Sequence, residues 1–194
     1  MKTTIINRQT AETKINAGLV IDGSGKSQIA TGIGFLDHIL ILFTKHGLFD
    51  LELTVDGDLH IDGHHTVEDA AIVLGQAFAK ALGDKSGIKR YGTAFVPMDE
   101  ALIMVSLDIS GRPFLAFDVE IPTERIGNFD SELTEEFLRA LAVHAGLTLH
   151  VKMLAGKNAH HIVEGVFKAL GRALDEATRK DERIIGVMST KGML

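Results

Sequence analysis

The chain has 194 residues, 45% of them hydrophobic, a formal net charge of -6 and no cysteine. That describes one domain of ample core size or two small fused repeats, and it excludes disulfides and thiolate metal sites. The acidic balance weighs against a large nucleic-acid surface, no run is long and apolar enough to span a bilayer, and the N-terminus lacks a signal-peptide core; the expected location is therefore cytoplasmic, with no nucleic acid and no membrane as partner.

Residues from about 4 to 21 alternate between apolar and polar types and read as a strand pair or one long strand, with Glu12 and Lys14 at polar positions. Such positions ordinarily form a solvated strand face. Asp22-Gly23-Ser24-Gly25 is a turn. Gln28, Ala30 and Gly32 lead into an amphipathic helix that starts near Gly34 and ends near Gly47, with His38 in its first turn. A lone histidine there is more often structural than a ligand. Leu48 to Val55 reads as a strand, Asp56-Gly57-Asp58 as a turn, and Leu59-His60-Ile61 as a short extended piece. A helix beginning at Asp62-Gly63-His64-His65-Thr66-Val67-Glu68-Asp69 then runs to about Leu82, and Gly83 to Gly87 closes a first half, 1–87.

The remainder, 88–194, repeats the plan. Ala94 to Glu100 leads to a β-rich run, Ala101 to Ile109, and the turn Ser110-Gly111-Arg112-Pro113. Phe114 to Ile121 alternates as a strand, a helix spans Leu133 to Gly146, and Leu147 to Met153 is a further strand. Asn158-Ala159-His160-His161-Ile162-Val163-Glu164-Gly165 then opens a helix that runs to about Lys180. The order strands, helix, strand, paired-histidine helix occurs twice, which is an internal duplication; the two repeats are expected to form one compact domain.

Each paired-histidine stretch begins with an N-cap residue type, Asp62 or Asn158. On a helix the first histidine and the glutamate are i,i+4, and the second is i,i+3, so each can share a face with that glutamate. The two histidines are about 100° apart, so each suits a different ion. One stretch offers three nitrogen or oxygen ligands, fewer than two ions need, so the copies are read as halves of a binuclear arrangement, within a subunit or across a subunit contact. Aligning the upstream helices with one inserted residue near their ends places His46 opposite His144, Gly47 opposite Gly146 and His38 opposite Glu136. A further ligand from each half brings the total to eight, enough for two ions with room for substrate or water. Without the repeat, Glu136 would read as a solvated carboxylate. Nine histidines is a high count for this length; His46, His60, His144 and His150 lack partners at ligand spacing and read as structural or surface. Lys89-Arg90, Arg112 and Ser189-Thr190-Lys191-Gly192 each follow a turn, where backbone amides plus a cation can hold phosphate, although singly each is more often plain surface charge.

Gly34-Phe35-Leu36-Asp37-His38, His64-His65-Thr66-Val67-Glu68-Asp69, Asp108-Ile109-Ser110-Gly111-Arg112-Pro113, Gly156-Lys157-Asn158-Ala159-His160-His161 and Ser189-Thr190-Lys191-Gly192 together resemble the imidazoleglycerol-phosphate dehydratase family, from about residue 4 to the C-terminus. The family's enzymes eliminate water from imidazole glycerol phosphate to give imidazole acetol phosphate in histidine biosynthesis. The resemblance implies an internally duplicated α+β fold (ribosomal protein S5 domain 2-like), with two four-stranded sheets and four helices packed between them. It implies a homo-oligomer of 24 chains built from trimers, with active sites at subunit contacts and two manganese ions per site. The implied metal ligands are His38, His64, His65, Glu68, Glu136, His160, His161 and Glu164. The position of Glu136 is histidine in some members, and carboxylate is an acceptable hard ligand for manganese. The implied substrate contacts are Glu12, Arg90, Arg112, Ser189 and Lys191, the last four around the phosphate in a C-terminal phosphate-binding tail and its surroundings.

The hydrogen removed in this reaction is not acidic, but the leaving hydroxyl is on the carbon attached to imidazole. Ions on both ring nitrogens would favour imidazolate, which can expel hydroxide to give a diazafulvene; loss of the neighbouring C–H proton then gives an enol that ketonises. Glu12 or Glu164 is the candidate proton carrier. Three other readings fit the motifs in part. A binuclear hydrolase would release inorganic phosphate, a metal-storage assembly would have closed sites, and a metal-free structural protein would carry no ion.

Overall fold

The computed structural model describes residues 3–194. Period-two alternation makes strands with one dry and one wet face. In β2 (Thr13–Val20), Ile15, Ala17 and Leu19 are buried while Lys14 and Asn16 face outward. With β1 (Thr4–Gln9), β3 (Ser27–Ala30) and β4 (Asp50–Gly57) it forms a four-stranded sheet in the order β1-β2-β4-β3. The first three strands of that order are antiparallel. The edge strand β3 is parallel to β4, because the chain returns through helix α1 (Gly34–Gly47).

The second sheet repeats this arrangement. β5 (Tyr91–Met98), β6 (Ala101–Asp108), β7 (Phe114–Asp118) and β10 (Thr148–Ala155) lie in the order β5-β6-β10-β7, with β7 parallel to β10. A small hairpin, β8 (Arg125–Ile126) and β9 (Phe129–Asp130), is added in this half. The helices are α1, α2 (His64–Leu82), α3 (Leu133–Ala145) and α4 (Ala159–Thr178). The fold is thus α+β, two four-stranded sheets with four helices between them.

The helices pair across the duplication. α2 lies on the first sheet and packs against α3; α4 lies on the second and packs against α1. One continuous core results, in which Val67, Leu74 and Phe78 of the first half join Leu138, Val166 and Phe167 of the second. Glycines allow the close approach. A Cβ on Gly75 would come within 2.8 Å of His144 Cβ and 3.0 Å of the Leu141 carbonyl oxygen, and one on Gly171 would run into the Phe43 carbonyl oxygen and lie 3.0 Å from Gly47 N. Both pairs run parallel. Gly63, ahead of α2, lies beside Leu133 at the start of α3, while Phe35 in the first turn of α1 meets His160 in the first turn of α4 edge-on, with ring centroids 5.0 Å apart. Gly63 also approaches Ile33 ahead of α1, so all four helix starts gather at one end.

Three local expectations change. Glu12 lies in the bend between β1 and β2, not within a strand, because Thr10 Oγ1 accepts from Glu12 N (3.1 Å) and Thr13 N (3.0 Å) and closes the turn. Leu59-His60-Ile61 is a turn held by Ile61 N donating to Asp58 O (2.8 Å), not an extended piece. The inserted residue in the α1–α3 alignment is unnecessary. Leu48 (φ 55°) takes the left-handed cap position that Gly146 (φ 68°) fills after α3, so His38 meets Glu136 and His46 meets His144 without a gap.

Alanine normally favours a helix interior over glycine by about 1 kcal/mol. At Gly171 the opposite is expected. Gly171→Ala should lower stability by about 1–3 kcal/mol, through overpacking against α1. Denaturant unfolding measures this, and a stabilised variant would refute the close α1–α4 contact.

Candidate metal centre

Both paired-histidine stretches lie at helix starts, but they are capped differently. Asn158 is the N-cap of α4, its Oδ1 accepting from His160 N (2.9 Å) and His161 N (3.3 Å). Gly63 occupies that position before α2, and Asp62 accepts from His64 N at 2.8 Å. Consecutive side chains diverge around the axis. The rings stand at 86° in the first pair and 84° in the second, with centroids 6.2 and 6.3 Å apart. Within each pair, the two histidines therefore meet different partners.

His160 turns into the α1–α4 groove. His38 Nε2 is 2.6 Å and His160 Nε2 3.0 Å from the same oxygen, Glu164 Oε1, and donor atoms of these three residues lie within 4.8 Å of one another. Atoms that share one ion at roughly 2.1 Å lie roughly 3 Å apart, so the spacing fits a single divalent cation. The nitrogen and oxygen donors suit manganese or another borderline-to-hard ion. Glu164 is 5% exposed. Burial pushes its carboxyl up, but hydrogen bonds from Lys168, His38 and His160 prevail and hold it at about 2. Lys168 Nζ donates to Glu164 Oε2 at 2.7 Å.

The repeat-related trio is Glu136, His64 and Glu68. Gly75 touches Leu141 and Ala145, five and nine residues beyond Glu136, as Gly171 touches Phe43 and Gly47, five and nine beyond His38. Glu136 thus stands on α3 where His38 stands on α1. This trio is looser. His64 Nε2 is 3.7 Å from Glu68 Oε2, Glu136 Oε2 is 3.7 Å from Arg139 Nε, and the counterpart of Lys168 is Ile72.

His65 and His161 point away from these grooves. His65 Nδ1 is 2.9 Å from Asp58 Oδ2, with its Nε2 3.7 Å from Glu12 Oε1. His161 Nδ1 is 2.7 Å from Glu100 Oε2, with its Nε2 3.7 Å from Asp99 Oδ2. The carboxylate partners raise the affinity of both rings for a proton, Asp58 acting on His65 and Glu100 on His161, and Glu100 is itself held down to about 2 by His161.

The basic residues gather elsewhere. Arg90 donates through Nε and Nη2 to both oxygens of Asp108 (2.6 and 2.9 Å) and through Nη1 to Met188 O (2.7 Å). Arg112 Nη2 lies 3.9 Å from Asp108 Oδ2, and in the adjoining tail Lys191 N donates to Ser189 Oγ at 3.2 Å. Arg90 also sits at φ 73°, sparsely populated for an arginine. Asp108 pairs with Thr148 at the start of β10, whereas the His160 stretch follows the end of β10, Ala155. Seven strand steps separate these ends by roughly 23 Å. The chain thus does not bring its basic cluster to its own His38–His160–Glu164 group.

Sequence reasoning did not single out Lys168, Asp58, Glu100 or Asp108. Lys168 had a signal, its i,i+4 spacing from Glu164. Glu100 had none, because 61 residues separate it from His161.

A family model described as imidazoleglycerol-phosphate dehydratase matches residues 31–174. Among curated relatives, an imidazoleglycerol-phosphate dehydratase of Acetivibrio thermocellus is 65% identical over 189 residues, 97% of each chain. One of Thermoanaerobacter pseudethanolicus is 61% identical over the full length of both. Among solved structures, the Staphylococcus aureus enzyme superposes with a TM-score of 0.85 at 41% identity, covering 93% of this chain and all of that one. The Pyrococcus furiosus enzyme, solved in complex with (S)-C348, gives 0.85 and 41%, covering 97% and 100%.

The Glu164 carboxyl is lower in the folded chain than its ordinary 4.5. Its contribution to stability is therefore complete above pH 4.5 and is lost as pH falls toward about 2. Unfolding of metal-free wild type and Glu164→Gln, followed from neutral pH downward, should show a stability gap that closes across that window. A gap that stays constant would contradict the low value.

Proposed function

The chain belongs to the imidazoleglycerol-phosphate dehydratase family, hydro-lyases of histidine biosynthesis, and from that premise we propose how its residues divide the work. The reaction removes water from imidazole glycerol phosphate to give imidazole acetol phosphate. The observation that carries the reading is the convergence of His38, His160 and Glu164 on one point in the α1–α4 groove, with the same positions repeated as Glu136, His64 and Glu68 at the α3–α2 groove.

Each trio would hold one Mn2+, two ions per active site. A trio is one protein ligand short of four, and the outward histidines, His65 and His161, are the remaining two donors. On this reading each trio is completed by an outward histidine of a neighbouring copy, so the site forms at a subunit contact. The placement of the basic cluster and the His160 stretch at opposite ends of β10, which are roughly 23 Å apart, supports the same conclusion. That is too far for one small substrate to bridge, so Arg90, Arg112, Ser189 and Lys191 would hold the phosphate for another copy's centre. Repetition of such contacts would build the 24-mer from trimers. The cytoplasm is the proposed location.

When bound by these residues, the ions would supply Lewis-acid activation of the imidazole ring, which would favour departure of the hydroxyl on the attached carbon. Arginine and lysine at the phosphate fix the far end, so that remote binding energy orients the reacting carbons. The proton on the neighbouring carbon needs a carboxylate that is free to take it. Glu164 is buried and its oxygens already face Lys168, His38 and His160, which suits a ligand. Glu12 is exposed on the β1–β2 bend beside His65, which suits the proton carrier. The hydroxyl leaves as water and the enol ketonises.

Glu12→Gln should lower turnover by about 100-fold or more with manganese content unchanged; normal turnover would remove Glu12 from the mechanism. Chelation should abolish activity and shift the assembly to smaller species by light scattering, both restored by Mn2+. Full activity without divalent ions would end the metal reading.

A further inference from the structure

His65 and His161 share a feature that the ligand sets leave unexplained. Each ring has a carboxylate on Nδ1, at 2.9 Å from Asp58 and 2.7 Å from Glu100, while Nε2 faces away from it. The two carboxylates come from different places in the repeat. Glu100 immediately precedes β6, as Glu12 immediately precedes β2. Asp58 immediately follows β4, and the residue that follows β10 is Gly156. Glu12 and Glu100 are therefore the same position in the two halves, put to different use.

The surroundings match the difference. Glu100 is fastened to the start of α4, its Oε1 accepting from Asn158 N (2.7 Å) and Lys157 N (3.2 Å) while Oε2 meets His161. Asp58 has no such second task. Its Oδ1 is buried and without a hydrogen-bond partner among the described residues, so its side chain meets His65 alone, while its backbone N donates to Glu12 O at 3.1 Å. A carboxylate on one ring nitrogen fixes which nitrogen carries the proton and how the ring is aimed.

We infer that Glu100 and Asp58 are positioning residues that hold His161 and His65 as Nδ1–H tautomers with the Nε2 lone pair free as the metal donor, and that Asp58, by taking this task in the first half, leaves Glu12 unbound on the Nε2 side. The inference rests on the metal reading above. It gives the two halves unequal roles, one glutamate position aiming a ligand and its repeat facing substrate.

The test uses full-length protein labelled with 15N-histidine. Solid-state NMR of the metal-free form, at a pH where the rings are neutral, reads the tautomers whatever the assembly size. Wild type should show Nδ1–H for His65 and His161. Glu100→Leu should release His161 and Asp58→Leu should release His65. Mn2+ titration followed by electron paramagnetic resonance should show affinity falling roughly 10–100-fold in each. Glu100→Gln and Asp58→Asn, which keep an acceptor oxygen, should retain the tautomer and much of the affinity. Glu12→Gln should leave the His65 tautomer and Mn2+ affinity at wild-type values while turnover falls. Leucine variants with reduced melting temperature but unchanged tautomers and Mn2+ affinity would overturn the inference, as would an Nε2–H signal from either ring in wild type. Wild-type protein that shows Nδ1–H for both rings yet binds no Mn2+ would instead sink the metal reading and spare the assignment of the hydrogen bonds.

Discussion

The arrangement depends on one close contact made twice: α4 against α1 and α2 against α3, each admitted by a glycine with no room for a side chain. Parallel packing at that distance sets the first turns of the paired helices side by side. A histidine near the start of α1 can then meet an oxygen of a glutamate in the second turn of α4, although the two stand 126 positions apart in the chain. The His38–His160–Glu164 cluster is thus a product of helix packing, and its side chains stand on rigid elements instead of loops.

The contact also explains why the halves do not behave as separate units. Each half builds its own sheet, but its paired-histidine helix meets the upstream helix of the other half. Neither half alone presents a complete trio. Burial of Val67, Leu74, Val166 and Phe167 in one core and assembly of the His38–His160–Glu164 cluster are the same event, since side chains that exclude water from the helix interface also place that cluster beside it.

The two halves differ most plainly at their helix grooves. In one groove Lys168 draws Glu164 into a buried ion pair with two histidines beside it. In the other, Ile72 replaces the lysine and Glu136 replaces the histidine, and the side chains stand apart. Three donors around one carboxylate keep it ionised despite burial, where an unpaired carboxylate would be protonated. The basic cluster shows a different economy. Asp108 neutralises Arg90 within the chain, which holds the guanidinium in place in a protein of net negative charge.

Much of this could be read from the residues alone. Alternation revealed the strands, helical periodicity and capping types located the helices, and recurrence of the His-His-Glu spacing marked two matching helix starts, because all of these are local patterns written within a few residues. The divergence of the two histidines of each pair toward different partners followed from helix geometry. Glu12's place in a bend did not, since hydroxyl capping by Thr10 overrode the alternation, and the left-handed Leu48 hid a gap-free repeat behind a misleading glycine. What tertiary structure alone decided was which apolar face meets which. A hydrophobic stripe states that a helix is buried but not against what, so the pairing of α1 with α4, the place of Lys168 beside the trio, the carboxylates on His65 and His161, and the distance of the arginines from their own chain's His38–His160–Glu164 group became visible only once the chain was folded.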